Sequence, residues 1–377
     1  MIYIIPLIFI IISILRFDFN DIKQEGKNTY NFILVILVLI AGLQYRVGSD
    51  TPVYMQEFNL SSWSDFKDIS IIQLGVRQIG WVVLLNVVKS VFREFFVLQI
   101  ILAVFLNYSF GKFFWKYTSK PFSALLIYFF ALYLDLSFNV LRQGVSIGFF
   151  LLSYDYFIEK KWSKYYMLNA CGLLFHSSAV ILLFVPLFSI LSKGRSYLLA
   201  FILMMLFSGK IIFDSFSSEL NALEMNDYVS SYMNSKTYGL SETSFYVASL
   251  SSFIKLFILF FIWKFKLFNY KLVPFLCLFC LFATLASKII ICGRLMKFFM
   301  PFVIIYEIEL VYNIVYRYMS HIQKIALIIL LMFPLFNPIR QLVHVNPVFN
   351  APNYYQYYPY NSIIDKNIPK ERKQFQL

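Results

Sequence analysis

Several charged and titratable residues stand where long apolar runs would not be expected to hold them. Arg46 closes one run, in Gln44-Tyr45-Arg46-Val47-Gly48-Ser49-Asp50-Thr51-Pro52-Val53-Tyr54. Arg142 opens another, in Asn139-Val140-Leu141-Arg142-Gln143-Gly144, and His176 lies between two short runs in Leu174-Phe175-His176-Ser177-Ser178. Arg294 and Lys297 open a later run, in Cys292-Gly293-Arg294-Leu295-Met296-Lys297. Ions beside hydrocarbon are costly, so each needs a partner or a task. Cations gathered at one depth suit a diphosphate at a lipid headgroup, because guanidinium offers planar paired donors to phosphate oxygens. Arg142 and Arg294 sit at expected helix starts, where free N–H groups and the helix dipole add to an anion site. Taken singly, each arginine also reads as an interfacial residue whose stem lies along the apolar surface. His176 reads equally as a packing histidine. Asp50 pairs with Arg46 or acts on its own, and Asp135 is an available partner for Arg142.

The elements that must position these residues are membrane helices. Of 377 residues, 60% are hydrophobic, 20% aromatic and only 14% charged, and mean hydropathy is +0.69. A soluble domain carries roughly a quarter charged residues to cover its surface; here lipid must cover the rest. The net charge of +13 comes in small groups between apolar runs, which excludes a nucleic-acid-binding face and fits basic inner loops. The four cysteines, Cys171, Cys277, Cys280 and Cys292, lie in or beside apolar runs. The Cys277/Cys280 pair lacks His partners and a loop setting, so it reads as one helix face, with no disulfide or metal expected. No compact acidic cluster marks a metal site and no cofactor is expected. The first residues, MIYIIPLIFIIISIL, have neither a basic start nor a small-residue cleavage site and read as a retained span.

At about 20 apolar residues per crossing, spans are expected near 1–16, 30–45, 95–113, 121–137, 140–158, 163–175, 177–192, 197–213, 245–263, 272–288, 294–313 and 325–341. The fold class is therefore an all-α polytopic membrane protein of about 12 transmembrane helices in a single integral domain, 1–377. With the N-terminus outside, every inward connection is basic: Arg16, Lys23 and Lys27; Lys112, Lys116 and Lys120; Lys160, Lys161 and Lys164; and, further on, Lys193, Arg195, Lys264, Lys266, Lys271, Arg317 and Lys324. Residues 75–92 decide the parity. They are apolar but hold Arg77, Gln78, Asn86 and Lys89, so they read as an amphipathic helix lying in the outer interface within a first outer loop, 46–94. The polar stretch 214–244 is a large outer loop, and the tail 342–377 also lies outside. Arg46, Arg142, His176, Arg294 and Lys297 then all fall at outer helix ends.

At these residues the chain resembles the EpsG-like/Wzy group of polysaccharide polymerases. Three passages carry the likeness: Arg46-x-Gly48-x-Asp50-x-x-x-Tyr54 after an early span, Leu141-Arg142-Gln143 opening a span, and Leu174-Phe175-His176-Ser177-Ser178-Ala179. The polar loop 214–244 fits, and Arg294 is a less distinctive match. The resemblance implies a GT-C-like layout in the bacterial inner (cytoplasmic) membrane and an undecaprenyl-diphosphate-linked oligosaccharide as substrate. Such an O-antigen or capsule polymerase transfers the growing glycan to the next lipid-linked unit on the outer face, with a flippase and a chain-length regulator as partners. Preorganised cations stabilise the leaving diphosphate: Arg142 and Arg294 first, then Arg46 and His176, which is also able to protonate it, with Lys297 a further diphosphate-binding residue. Asp50 is the candidate base, although pairing with Arg46 would weaken it. Tyr54 and Gln143 join the substrate-contacting residues; Tyr54, Trp63 and Trp81 suit stacking on sugars, or an interfacial aromatic belt. The rivals are a flippase or exporter of the same lipid, which would spread its cations along a two-faced cavity, an acyltransferase, and an O-antigen ligase of closely related chemistry.

Overall fold

The computed structural model is mostly helical and describes residues 2–66, 78–190, 254, 272–286, 292–318, 335–336, 338–346 and 350–375. The chain divides into two compact units: Met1–Ala179 with Glu307–Leu377, and Val180–Tyr306.

The first unit is a bundle whose helices follow from the apolar runs, because in lipid a helix satisfies its own backbone polar groups. Helix α1 (Ile4–Ser13) continues through a π turn, Ile14–Asp18. Helix α2 (Lys27–Gly42) lies antiparallel to α5 (Phe95–Tyr117): Gly42 meets Ile100 at one end, and the Tyr30 hydroxyl donates to the Gly111 carbonyl at 3.0 Å towards the other. A Cβ on Gly42 would lie 3.1 Å from the Ile100 Cα, so the small residue is what lets the two backbones approach. Helices α6 (Pro121–Tyr128) and α7 (Leu134–Phe138) join through a π turn, Phe129–Tyr133, into one rod. Helices α8 (Leu141–Ile158) and α9 (Trp162–Leu173) form an antiparallel hairpin, in which Asn169 Nδ2 donates to Ser153 Oγ at 3.0 Å.

Two shorter helices, α3 (Thr51–Leu60) and α4 (Ile79–Phe92), lie against α5 and α8. Their shared core is Tyr54, Phe58, Trp81, Leu85 and Val88 against Phe95, Leu98, Leu102, Leu141 and Val145. The expected amphipathic segment 75–92 appears as α4, described from Gln78 onward. It buries Trp81, Val82, Leu85 and Val88 and exposes Val83, Val87 and Val91, four residues apart. Lys89 Nζ donates to the Asn59 and Ser61 carbonyls at 2.8 and 2.7 Å, satisfying the end of α3.

Ile4, Ile8 and Ile12 of α1, Leu15 of the π turn, and Phe32, Val35 and Leu39 of α2 stay exposed on the outside of the bundle. Faces this apolar mark a membrane protein. Among the described residues two helices, Phe95–Tyr117 and Pro121–Phe138, are long and apolar enough alone to cross a bilayer. The expected spans at 30–45, 140–158, 163–175, 272–288 and 294–313 are helices Lys27–Gly42, Leu141–Ile158, Trp162–Leu173, Val273–Ala286 and Cys292–Tyr318. The span expected at 177–192 is not one α-helix. A 3-10 stretch, Ser177–Leu183, gives way to a helix at Val185–Ile190, since the Pro186 ring would clash with the carbonyl four residues earlier and lacks an N–H. The spans 197–213, most of 245–263, most of 325–341 and the loop 214–244 lie outside the described residues. Cys277 and Cys280 are buried on helix Val273–Ala286, and Cys171 and Cys292 are half-buried.

One end of the first unit collects the basic connections. Lys120 is buried, bonding to the Asp18 carbonyl and pairing with Asp21, with its Nζ 4.6 Å from the Tyr312 ring centre. Lys116 pairs with Asp155 at 2.8 Å, and Glu309 accepts from Thr118 Oγ1 at 2.9 Å. Asp18, beyond the first span, is fully buried. Its Oδ2 accepts the Ser123 N–H and hydroxyl, both at 2.7 Å. Burial pushes its carboxyl up to about 7, against the pull of the Ser123 hydrogen bonds and of Lys120. The folded value exceeds the unfolded one, so the stability it confers is complete below about pH 4 and is lost as pH rises through 7. Asp18→Asn, which cannot ionise, is therefore expected to flatten the fall in Tm between pH 5 and 8 in detergent. An unchanged slope would assign that fall to other groups.

Candidate functional site

At the opposite end of the same unit, three chain segments meet. The Gln44–Asp50 turn leaves α2 and enters α3, the Phe138–Arg142 stretch joins α7 to α8, and residues 353–363 of the tail lie across them. The turn is tightly built. Gln44 Oε1 accepts the Val47 N–H at 2.7 Å, and Arg46 takes a left-handed backbone with φ 51°. Gly48 has φ 93°, a conformation that favours glycine. A Cβ there would also lie 2.6 Å from Asn139 Oδ1 and 2.9 Å from the Phe138 carbonyl carbon.

Asn139 is the junction. Its Oδ1 accepts the Ser49 N–H at 2.8 Å, and its Nδ2 donates to the Tyr357 hydroxyl at 2.8 Å and to Gln356 Oε1 at 3.2 Å. Nearby, Thr51 Oγ1 donates to the Phe138 carbonyl at 2.7 Å. The tail completes the frame through backbone bonds: Tyr45 N–H to the Asn361 carbonyl, Gly48 N–H to the Gln356 carbonyl, and Ile363 N–H to the Leu43 carbonyl, at 2.8–2.9 Å. Tyr360 adds a hydroxyl bond to the Ile40 carbonyl, and Tyr3 of the first helix donates to the Tyr357 carbonyl, both at 3.0 Å.

Arg142 is the second residue of α8. A cation at a helix N-terminus is disfavoured by the dipole, by roughly 0.3–1 kcal/mol. Three contacts outweigh this. The guanidinium lies 5.6 Å from the centre of the Tyr54 ring, bonds to the Tyr54 oxygen, and donates to Gln78 Oε1 at 3.3 Å. A cation over an aromatic face contributes about 0.5–2 kcal/mol, depending on burial. Tyr54 is in turn buried edge-to-face on Trp81, at 5.3 Å between ring centres. Burial holds the Tyr54 phenol well above its usual range, against the pull of Arg142, so the ring supports the arginine as a neutral partner.

Arg142 lines a cavity of about 200 Å³ with Gln56, Glu57, Ser61 and Trp81. Glu57 Oε2 accepts the Trp81 indole N–H at 2.8 Å. Glu57 is the site residue that sequence reasoning missed. Its signal was present in the spacing, since Asp50, Tyr54 and Glu57 follow at four and then three residues and so share one helix face.

The other expected site residues are placed as follows. Asp50 is the N-cap position of α3 and accepts the Ser49 hydroxyl at 2.9 Å; it does not line the cavity. Gln143, beside Arg142, is fully buried within the bundle. Trp63 is exposed and donates to Ser90 Oγ at 3.2 Å. His176 Nδ1 accepts the Ser178 N–H at 3.2 Å, with Ser178 Oγ 2.6 Å away, so a neutral ring carries its proton on Nε2. The His176 turn joins this end where the Gly80 N–H meets the Leu174 carbonyl at 2.9 Å, two residues beyond Gln78. Arg294 and Lys297 stand three residues apart in the first turns of helix Cys292–Tyr318, in the second unit.

A family model described as the EpsG family matches residues 27–362. No curated protein and no solved structure matches the chain.

The junction can be tested without reference to chemistry. Asn139→Ala orphans the Ser49 N–H and the Tyr357 hydroxyl, at about 1–3 kcal/mol per buried group. It is expected to lower Tm and to speed proteolytic cleavage near 353–363, and Gly48→Ala should do the same through strain. Unchanged cleavage in both variants would show that the tail is held by other contacts.

Proposed function

The chain belongs to the EpsG family, and on that premise we propose that it is a polysaccharide polymerase of the bacterial inner membrane. Its substrate is an oligosaccharide repeat unit on undecaprenyl diphosphate, presented at the outer face. The growing glycan leaves its lipid diphosphate and is joined to the next lipid-linked unit, with a flippase supplying units and a chain-length regulator as a further partner. In this reading the end holding the Gln44–Asp50 turn and the tail faces outward, and the end with Lys23, Lys112, Lys116, Lys120, Lys160, Lys161 and Lys164 faces the cytoplasm.

The observation that carries the reading is Arg142, held at a helix N-terminus against the local dipole and opening on a cavity whose largely apolar walls also carry Gln56, Glu57 and Ser61. A diphosphate there meets the positive helix end and the guanidinium together. Because charge on the diphosphate grows as the sugar departs, a preorganised cation stabilises the transition state more than the bound substrate. Arg46, in the adjoining turn, adds positive charge at this end. His176, with its proton on Nε2, is suited to hydrogen-bond or protonate the departing phosphate. Arg294 and Lys297 offer the same chemistry within the second unit.

The test is chain assembly by the purified protein in proteoliposomes, supplied with undecaprenyl-diphosphate-linked repeat units. Wild type is expected to convert them into a ladder of lengths. Arg142→Ala should reduce the rate by about 100-fold or more, and Arg142→Lys, which keeps the charge but loses the paired donors, by less. Wild-type activity in Arg142→Ala would remove the diphosphate role. Transbilayer movement of the units without joining would make the protein a flippase, and transfer of finished glycan to another lipid would make it a ligase.

A further inference from the structure

We propose that Glu57 is the general base of this reaction, taking the proton from the attacking sugar hydroxyl. The assignment rests on the polymerase reading. It deepens that reading by giving the one cavity both an acceptor-side and a donor-side group.

Glu57 and Arg142 line the same cavity of about 200 Å³. The carboxylate is held at one oxygen, where Oε2 accepts the Trp81 indole N–H at 2.8 Å. Oε1 has no bond to any described residue and is left to accept from a hydroxyl. The support is rigid, because Trp81 and Tyr54 are both buried and packed edge to face. Trp81 thus holds the carboxylate while Tyr54 carries the guanidinium. Base and cation are fixed relative to one another through a single aromatic pair, the preorganisation that two-sided chemistry requires. Gln56 and Ser61 line the same space with polar groups that suit a sugar's remaining hydroxyls. Asp50 is placed less well for this task, since it sits at the start of α3, bonds to its neighbour Ser49 and stands away from the cavity.

The step balances without a further reagent. The acceptor hydroxyl oxygen forms a bond to the anomeric carbon of the growing chain, and its proton passes to Glu57 Oε1. The bond from that carbon to the diphosphate oxygen breaks, and the electron pair leaves on the diphosphate, facing Arg142. Glu57 then releases the proton to water.

The deciding variant is Glu57→Gln, whose amide oxygen can still accept from Trp81 and so preserves the packing. In the same proteoliposome assay, with lipid-linked units extracted from the producing strain, kcat should fall by about 100-fold or more. KM for those units should stay within about twofold and Tm should be unchanged. The acid limb of the kcat–pH profile should disappear in Glu57→Gln and persist, at lower kcat, in Glu57→Asp. If wild type polymerises and Glu57→Gln does so equally well, the base assignment fails while the polymerase reading stands. A parallel loss of KM, kcat and Tm in both variants would reduce Glu57 to a structural residue. If wild type itself joins no units, the polymerase reading fails first.

Discussion

Every backbone polar group at the end of a membrane bundle has to find a partner, because lipid offers none and water reaches only part of the surface. Helix interiors meet this demand internally; turns do not. In the Gln44–Asp50 turn the amides of Tyr45, Gly48 and Ser49 point outward from any regular structure, and their partners come from the tail and from Asn139. That requirement fixes the route of the turn, which fixes where α3 begins. Through Gln56, Glu57 and Ser61 the start of α3 in turn sets one wall of the cavity. The chemistry attributed to Arg142 depends on a hydrogen-bonding constraint several ångströms away.

The two ends of the first unit solve different electrostatic problems. At the basic end the cations are neutralised within the protein: Lys120 by Asp21 and the Asp18 carbonyl, Lys116 by Asp155. At the other end the Arg142 guanidinium lies over the Tyr54 ring and donates to Gln78 Oε1, contacts that orient it at the cavity it lines.

Much of the helical frame was legible because apolar runs, basic connections and the Arg46–Tyr54 spacing are local signals. The α4 segment was also legible, since Asn86 and Lys89 break an otherwise apolar run and Lys89 proves to cap α3. Three features were not. The tail's role was hidden because Asn139 and Tyr357 lie 218 residues apart, and composition marks Tyr, Asn and Pro only as polar chain. Trp81 and Tyr54 read as surface aromatics available to sugars, yet both are buried and act as the mount for Glu57 and Arg142. An aromatic residue in a half-apolar helix faces core or solvent according to a register that the run alone does not settle. The break at 177–192 was hidden because hydropathy averages across Pro186, whose ring interrupts the run.

The tail segment that closes over the Gln44–Asp50 turn comes after helices α1 to α9 in chain order. A ribosome delivers the arginine turn early and its hydrogen-bonding partners hundreds of residues later. During synthesis the cavity wall therefore waits, incomplete, while the intervening spans are inserted. The nascent protein passes through a period in which its membrane helices are in place but its site is not. The turn therefore acquires the partners of its Tyr45 and Gly48 amides only when residues 353–363 arrive.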